Sequence, residues 1–521
     1  MNSGFINKAK HILLYPFEQG LLLLVGFWLF ASFADVFFLY ANGSYIIGLY
    51  KGMLGLLQCY LLVLLSRFLK GTINKIFVLS VAVLGVINVI ADSFVYSITK
   101  DRFSLDTVAI ILGSNLSEAT EFIPMYLTTK VLLFILINVL LAVLAITFYY
   151  RKVNRNVSPV LSLFLSVTMI LSLFYSIHRR FYYVDSVFLN KFVLFATYSS
   201  PVNLQEYRKK PMVLVNGEQP ELIMLVIGES LSKNHCSLYG YNKLTMPILG
   251  QMVSDSIVIT YDNVKAPYTH TIEAFKAIMS TYKTEYQDDK WYEYPFLIDY
   301  MKAAGYRTCW VSNQSSVGVY DNVISKYAEL SDTVILVGKT KMGLSKNDYD
   351  ELVLPYLSSL IFQDFKNQKL FIVVHLMGSH ESFEVRYPAS FSRFTSNDYQ
   401  DCLRNQRKIL ADYDNSVLYN DYVVSSIINL VTEENVILYY FPDHSLDVFE
   451  TDAKYAGHAR LSDSLSVELG LNIPFILFQS DKNKKTFSES YSRHVEECHN
   501  AFCTEDIVYE LIDVANITVL E

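Results

Sequence analysis

The stretch Val436-Ile-Leu-Tyr-Tyr-Phe-Pro-Asp-His444 is a short apolar run that stops on an acid and an imidazole. An unbroken apolar run of this length reads as a strand buried on both faces. The carboxyl end of such a strand is where open α/β sheets place their chemistry. Asp443 and His444 together offer a hard oxygen and a borderline nitrogen, a pair suited to Zn²⁺. A capped strand end with no further role is the plainer reading of the same two residues. A second run, Leu222-Ile-Met-Leu-Val-Ile-Gly228, ends the same way, on Glu229-Ser230. Two acid-terminated strands in one domain outline a metal site.

Around these two runs the sequence alternates short β-rich and helical patterns from Glu221 onward. Strands are expected over 222–228, 306–312, 333–337, 370–376, 436–441 and 473–478. Helices are expected over 271–283, 295–304, 348–365, 411–432 and 505–514. Alternation of this kind predicts a doubly wound α/β/α sheet. No internal repeat or low-complexity tract interrupts it.

The first third of the 521-residue chain has a different character. It carries most of the apolar weight of a sequence that is 52% hydrophobic. Five stretches, near 19–41, 45–66, 76–98, 129–150 and 157–177, approach the ~20 apolar residues that a bilayer requires. The first is too long for the apolar region of a secretory signal, and four more spans follow it. Lys8 and Lys10, then Arg67, Lys70 and Lys75, then Arg151, Lys152 and Arg155 fall on one side of these spans, which marks the cytoplasm. The loop at 99–128 lies opposite, and with five spans everything after residue 178 is outside. The division expected is a transmembrane domain over 1–178, an aromatic and basic connector on the outer membrane face over 179–215, and a large soluble domain, periplasmic or extracellular, over 216–521.

The formal net charge of −8 and the lack of a basic tract in the soluble part argue against nucleic acid. Five of the six cysteines lie in the exported part, and Cys498 and Cys503 are near enough in sequence to close a small disulfide loop. No zinc-ribbon spacing is present.

Thr271 opens the helical run Ile272-Glu-Ala-Phe-Lys-Ala-Ile-Met279. It is either the helix N-cap, a common role for threonine, or a nucleophile at the helix's positive end. The second role needs a metal, because an unassisted hydroxyl is a poor nucleophile. His375-Leu-Met-Gly-Ser-His380 follows another buried run, and its Gly-Ser pair allows a turn that brings His380 to the same crevice. His458 lies on a loop beyond Asp443-His444.

The ordered set Ile227-Gly-Glu-Ser230, Ser237-Leu-Tyr-Gly-Tyr241, Pro267-Tyr-Thr-His-Thr-Ile-Glu273, Trp310-Val-Ser-Asn-Gln314, His375-Leu-Met-Gly-Ser-His380, Tyr413-Asp-Asn-Ser-Val-Leu-Tyr-Asn-Asp421 and Phe441-Pro-Asp-His444 resembles the phosphoethanolamine transferases. These are membrane-anchored members of the alkaline phosphatase/sulfatase superfamily. The resemblance covers nearly the whole chain and is closest to the branch acting on lipopolysaccharide core heptose. It implies that Glu229, Thr271, Asp443 and His444 are zinc ligands and that Thr271 is the nucleophile. It also implies substrate-side roles for His380 and His458, and an ethanolamine-binding segment at Ser114-Asn-Leu-Ser-Glu118. Phosphatidylethanolamine would be the donor, and lipopolysaccharide or another surface glycan the acceptor.

Two departures stand out. The family reads Asp-His-Gly-Glu, whereas Ser445-Leu446 follows His444 here, leaving Asp447 as a candidate substitute for the acid. The sulfatase Cys/Ser-x-Pro-x-Arg motif is absent around Thr271. Competing expectations are phosphoglycerol transfer of the lipoteichoic acid synthase type with Mn²⁺, transfer to a periplasmic glucan, and a non-catalytic membrane scaffold.

Overall fold

The computed structural model describes residues 12–41, 43, 45–99, 103, 108, 127–151, 204–207, 209–286, 290–314, 323–337, 348–364, 366–452, 456–460 and 463–520. The chain forms two compact units, one built on the N-terminal helices and one that includes Pro201–Glu521.

Among the described residues of the first unit, four helices are long and apolar enough to cross a membrane: α1 (Leu21–Ala41), α2 (Tyr45–Ser66), α3 (Gly71–Thr99) and α4 (Thr129–Tyr150). They coincide with the first four expected spans. The fifth, at 157–177, lies outside the described residues. Small residues let these helices approach closely: a Cβ on Gly55 of α2 would collide with the Ser32 hydroxyl of α1. Helix α1 also contains a π-helical turn, Leu29–Phe33, that no hydrophobic pattern announces.

The second unit is organised on a seven-stranded sheet. Its strands in chain order are β1 (Leu222–Gly228), β2 (Val258–Thr260), β3 (Arg307–Ser312), β4 (Thr333–Leu336), β5 (Leu370–His375), β6 (Val436–Pro442) and β7 (Ile476–Gln479). Their order across the sheet is β2-β7-β6-β1-β5-β3-β4. From β6 through β4 all neighbours are parallel, while β7 runs antiparallel to both β6 and β2. The six expected strands are all present. The seventh, β2, is a three-residue edge strand too short to carry a pattern.

Side chains alternate between two cores, as the period of a strand demands. Ile223, Leu225 and Ile227 of β1 enter one apolar cluster with Trp310, Phe371 and Phe441. Leu222, Met224 and Val226 enter the other, with Val311, Ile372, Leu438 and the long helix α6 (Arg407–Leu430). Both faces of the sheet are therefore covered, which explains why its central strands read as unbroken apolar runs. The last residues of the expected connector, Met212–Val215, pair antiparallel with Ile517–Leu520.

All six cysteines are free, so the Cys498–Cys503 loop is not closed. The Cys498 thiol faces the Val495 carbonyl at the end of its helix, whereas Cys503 belongs to the strand Ala501–Cys503.

Candidate active site

Strand register builds the site. Ile227 of β1 stands level with Phe441 of β6 on one side and His375 of β5 on the other, and Gly228 is level with Pro442. The residues that follow, Glu229 and Asp443, thus leave the sheet side by side although 214 positions apart in sequence, counted from their numbers. The Asp443 N–H donates to the Gly228 carbonyl and ties the two strand ends together. Ser230 turns the chain sharply with φ of 56° in the left-handed region, a strained setting for serine. Its carbonyl is held by the Tyr413 hydroxyl from α6 at 3.0 Å.

Thr271 arrives from the same end of the sheet on helix α5 (Thr271–Ile278). Its hydroxyl does not cap that helix. His270 occupies the N-cap position and Thr271 is the first helical residue. The hydroxyl donates instead to Glu229 Oε1 at 3.0 Å and lies 3.3 Å from His444 Nε2.

Glu229, Asp443 and His444 are all buried, with ligand atoms within 4.8 Å of one another. His444 Nε2 is 3.2 Å from Glu229 Oε1 and 3.7 Å from Asp443 Oδ2. His444 donates its Nδ1–H to the Ser445 carbonyl at 2.9 Å, which aims Nε2 inward. Asp443 Oδ2 is buried with no hydrogen-bond partner among the described residues. A buried carboxylate oxygen so placed costs free energy unless a cation meets it. With Thr271 Oγ1 the set comprises three oxygens and one nitrogen, which fits a single four-coordinate divalent cation.

The protonation pattern reflects the crowding of two carboxylates. Burial, then the charge of Glu229, pushes the Asp443 carboxyl up to about 8. Burial acts against Glu229 as well, but the His444 hydrogen bond and charge outweigh it and hold that carboxyl well below the usual range. Burial lowers His444, yet its two acidic neighbours lift it to about 9.

Further imidazoles surround this core. The His458 ring lies 4.8 Å from that of His444 and stacks on His270 at 4.9 Å. Burial, outweighing the opposing charge of Glu229 and aided by Arg386 and His444, pushes His380 down to about 4, so it is a neutral imidazole at pH 7. Its loop is tightly held. Asp350 accepts the N–H groups of Met377 at 2.9 Å and Gly378 at 2.8 Å. The Ser379 N–H donates to the Glu229 carbonyl, and the Arg386 guanidinium donates to the carbonyls of His380 and Glu381.

The structure thus gathers Glu229, Thr271, Asp443 and His444 at one point, with His380 and His458 around it. Ser114 and Glu118 lie outside the described residues. Asp447 is fully engaged elsewhere. One oxygen accepts the N–H groups of Glu450 and Thr451, and the other accepts the hydroxyls of Thr451 and Ser466. It therefore supports its own loop. Asp350, Arg386 and Gln314 are residues that sequence reading did not single out. Only the motif Trp310-Val-Ser-Asn-Gln314 hinted at the last of them.

Comparison with known proteins follows the same lines. The sulfatase family profile matches residues 221–517, more than half of the chain. The phosphoethanolamine transferase EptC of Escherichia coli K12 is 26% identical over 452 residues, covering 81% of this chain and 77% of that protein. The zinc complex of the periplasmic domain of E. coli EptC has a TM-score of 0.54 at 26% identity, over 60% of this chain and 87% of that one. The integral membrane lipooligosaccharide phosphoethanolamine transferase A of Neisseria meningitidis shares the fold over 95% of both chains, with a TM-score of 0.67 at 17% identity.

Proposed function

The chain belongs to the sulfatase family and is a membrane-bound phosphoethanolamine transferase with a soluble domain, and from that premise we propose that it moves phosphoethanolamine from phosphatidylethanolamine to a lipopolysaccharide-type surface glycan, core heptose or lipid A, through Thr271. The observation that carries this reading is the Thr271 hydroxyl, withheld from helix capping and set 3.0 Å from Glu229 and 3.3 Å from His444.

Glu229, Asp443, His444 and Thr271 would hold one zinc ion. Bound there, zinc supplies Lewis-acid stabilisation of the phosphoryl charge and favours the deprotonated threonine. The zinc-loaded relative supports zinc over the manganese expected for phosphoglycerol transfer.

In the first step Thr271 Oγ1 forms a bond to phosphorus and the bond to the diacylglycerol oxygen breaks. The proton that Thr271 loses is the one diacylglycerol needs. In the second step the acceptor oxygen bonds to phosphorus, the Thr271–phosphorus bond breaks, and the acceptor's proton restores the hydroxyl. His380 and His458 flank this path as neutral imidazoles able to donate N–H to phosphoryl oxygens and to relay the proton. The positive end of α5 faces the same phosphoryl group. Ser114 and Glu118 are assigned to the ethanolamine headgroup, where a carboxylate would pair with the ammonium. The catalytic domain lies on the periplasmic side of a bacterial inner membrane in this reading, and the membrane helices give access to a lipid donor and a lipid product.

The test uses full-length protein in vesicles containing labelled phosphatidylethanolamine or labelled phosphatidylglycerol, with lipopolysaccharide as acceptor. Diacylglycerol release and labelled acceptor are expected from the ethanolamine lipid, with zinc recovered at one ion per chain. Preference for the glycerol lipid, or full turnover by metal-free protein, would overturn the reading.

A further inference from the structure

Gln314 follows the last strand residues of β3 and reaches across to Glu229. Its side-chain nitrogen donates to Glu229 Oε2 at 3.2 Å and to the Leu376 carbonyl at 3.2 Å. Both partners are acceptors, which fixes the amide with its nitrogen toward them and leaves it no freedom to flip. The other oxygen, Glu229 Oε1, takes the Thr271 hydroxyl at 3.0 Å and the Ser230 hydroxyl at 3.1 Å, and faces His444 Nε2 at 3.2 Å. The two oxygens of this carboxylate therefore have separate duties. One is committed to the site and the other is held out of it.

Asn313, the preceding residue, anchors the opposite wall. Its side-chain nitrogen donates to Asp350 Oδ1 at 2.8 Å, and Asp350 in turn holds the turn leading to His380. The turn after β3 thus grips the carboxylate with one side chain and the histidine loop with the next. The Gln314 main chain is steadied by the Ser312 hydroxyl, which accepts its N–H at 3.1 Å.

We propose that Gln314 is a positioning residue that restricts Glu229 to one-oxygen coordination and so sets the metal preference of the site. With Oε2 restrained, the donors number four: Glu229 Oε1, Asp443 Oδ2, His444 Nε2 and Thr271 Oγ1. Four donors with a nitrogen among them suit zinc. Were Glu229 free to swing and bind through both oxygens, the site would become five-coordinate and richer in oxygen, a setting that favours manganese or magnesium. Partners behind the ligands commonly influence metal affinity by ~10–100-fold. The inference rests on the zinc reading above and adds the residue that enforces it.

The experiment uses full-length protein in detergent, stripped of metal and titrated with zinc or manganese against a chelator of known affinity. Gln314→Met keeps the length of the side chain and removes the donor. Zinc affinity is expected to fall ~10–100-fold, manganese affinity to hold or rise, and the metal-free melting temperature to stay near that of the wild type. At saturating zinc, kcat falls while the KM for donor lipid is unchanged. Gln314→His, which restores an N–H donor at similar reach, recovers most of the zinc affinity. This rescue keeps the test decisive should the methionine variant fold poorly. Wild-type zinc affinity and preference in Gln314→Met would overturn the clamp alone. A wild-type protein that takes up no zinc would overturn the metal reading and the clamp with it.

Discussion

Gly378 lies against the backbone of Glu229, so closely that a Cβ on Gly378 would sit 2.6 Å from the Glu229 carbonyl oxygen and 2.7 Å from its nitrogen. Its φ of 53° is also in the left-handed region. Gly378→Ala must therefore displace either the His380 loop or Glu229, and backbone cannot yield as a flexible side chain would. We expect transfer to fall at least tenfold, with a loss of about 1–3 kcal/mol in stability from strain and repacking. Parallel thermal melts and lipid-transfer assays check this. Wild-type activity in the alanine variant would mean that the loop has room to move.

Thr271→Ala should abolish transfer with little effect on folding, since His270 rather than Thr271 holds the N-cap position. Thr271→Ser keeps a hydroxyl and is expected to retain measurable activity. Mass spectrometry of acid-quenched wild-type protein incubated with donor lipid should find phosphoethanolamine on the peptide carrying Thr271, and none on the alanine variant. Label on another residue would relocate the nucleophile.

Metal removal is expected to affect stability as well as activity. Glu229 and Asp443 face each other in a buried site, so a dication that binds only the folded state adds stability by mass action, ~3 kcal/mol at a hundredfold excess over its dissociation constant. Chelation should lower the melting temperature and stop transfer, and zinc should restore both. A melting temperature indifferent to chelator and zinc would count against the site.

The pH dependence of stability has a separate source. Burial pulls the His235 imidazole down, but Asp414 at 2.6 Å, aided by Glu450, outweighs it and pushes the value up to about 9. A raised folded-state value means stability that is complete below the unfolded value near 6.5 and is lost as pH rises toward 9. Stability should fall by roughly 1–3 kcal/mol between these limits. His235→Gln should be less stable at pH 6 and should flatten the slope. Denaturant melts at pH 6, 7.5 and 9 measure both.

What the sequence reveals here follows physical range. Leu222–Gly228 and Val436–Pro442 are legible because both faces of each strand are buried, so every position is apolar. The strand near residue 473 begins only at Ile476, because Pro474 has no N–H to give to a ladder and the Phe475 N–H goes to the Tyr239 hydroxyl. Thr271 could not be resolved between cap and nucleophile, since both place a hydroxyl at a helix start. Only the position of Glu229 distinguishes them. Gln314 and Asp350 were invisible as parts of the site for a related reason. Their partners lie 85 and 27 positions away, and only the folded chain brings them together.

The same sheet order governs when the site can exist at all. Glu229 is synthesised early in the soluble domain and Asp443-His444 late, yet their strands are immediate neighbours. A growing chain has Thr271 and Glu229 but lacks Asp443 and His444, the other half of the proposed ligand set. Contacts of such long sequence separation form late, because the loop between them must close first. Assembled in this order, the proposed ligand set is never complete in a shortened chain, so an unfinished protein is kept from metal chemistry by topology rather than by an inhibitor.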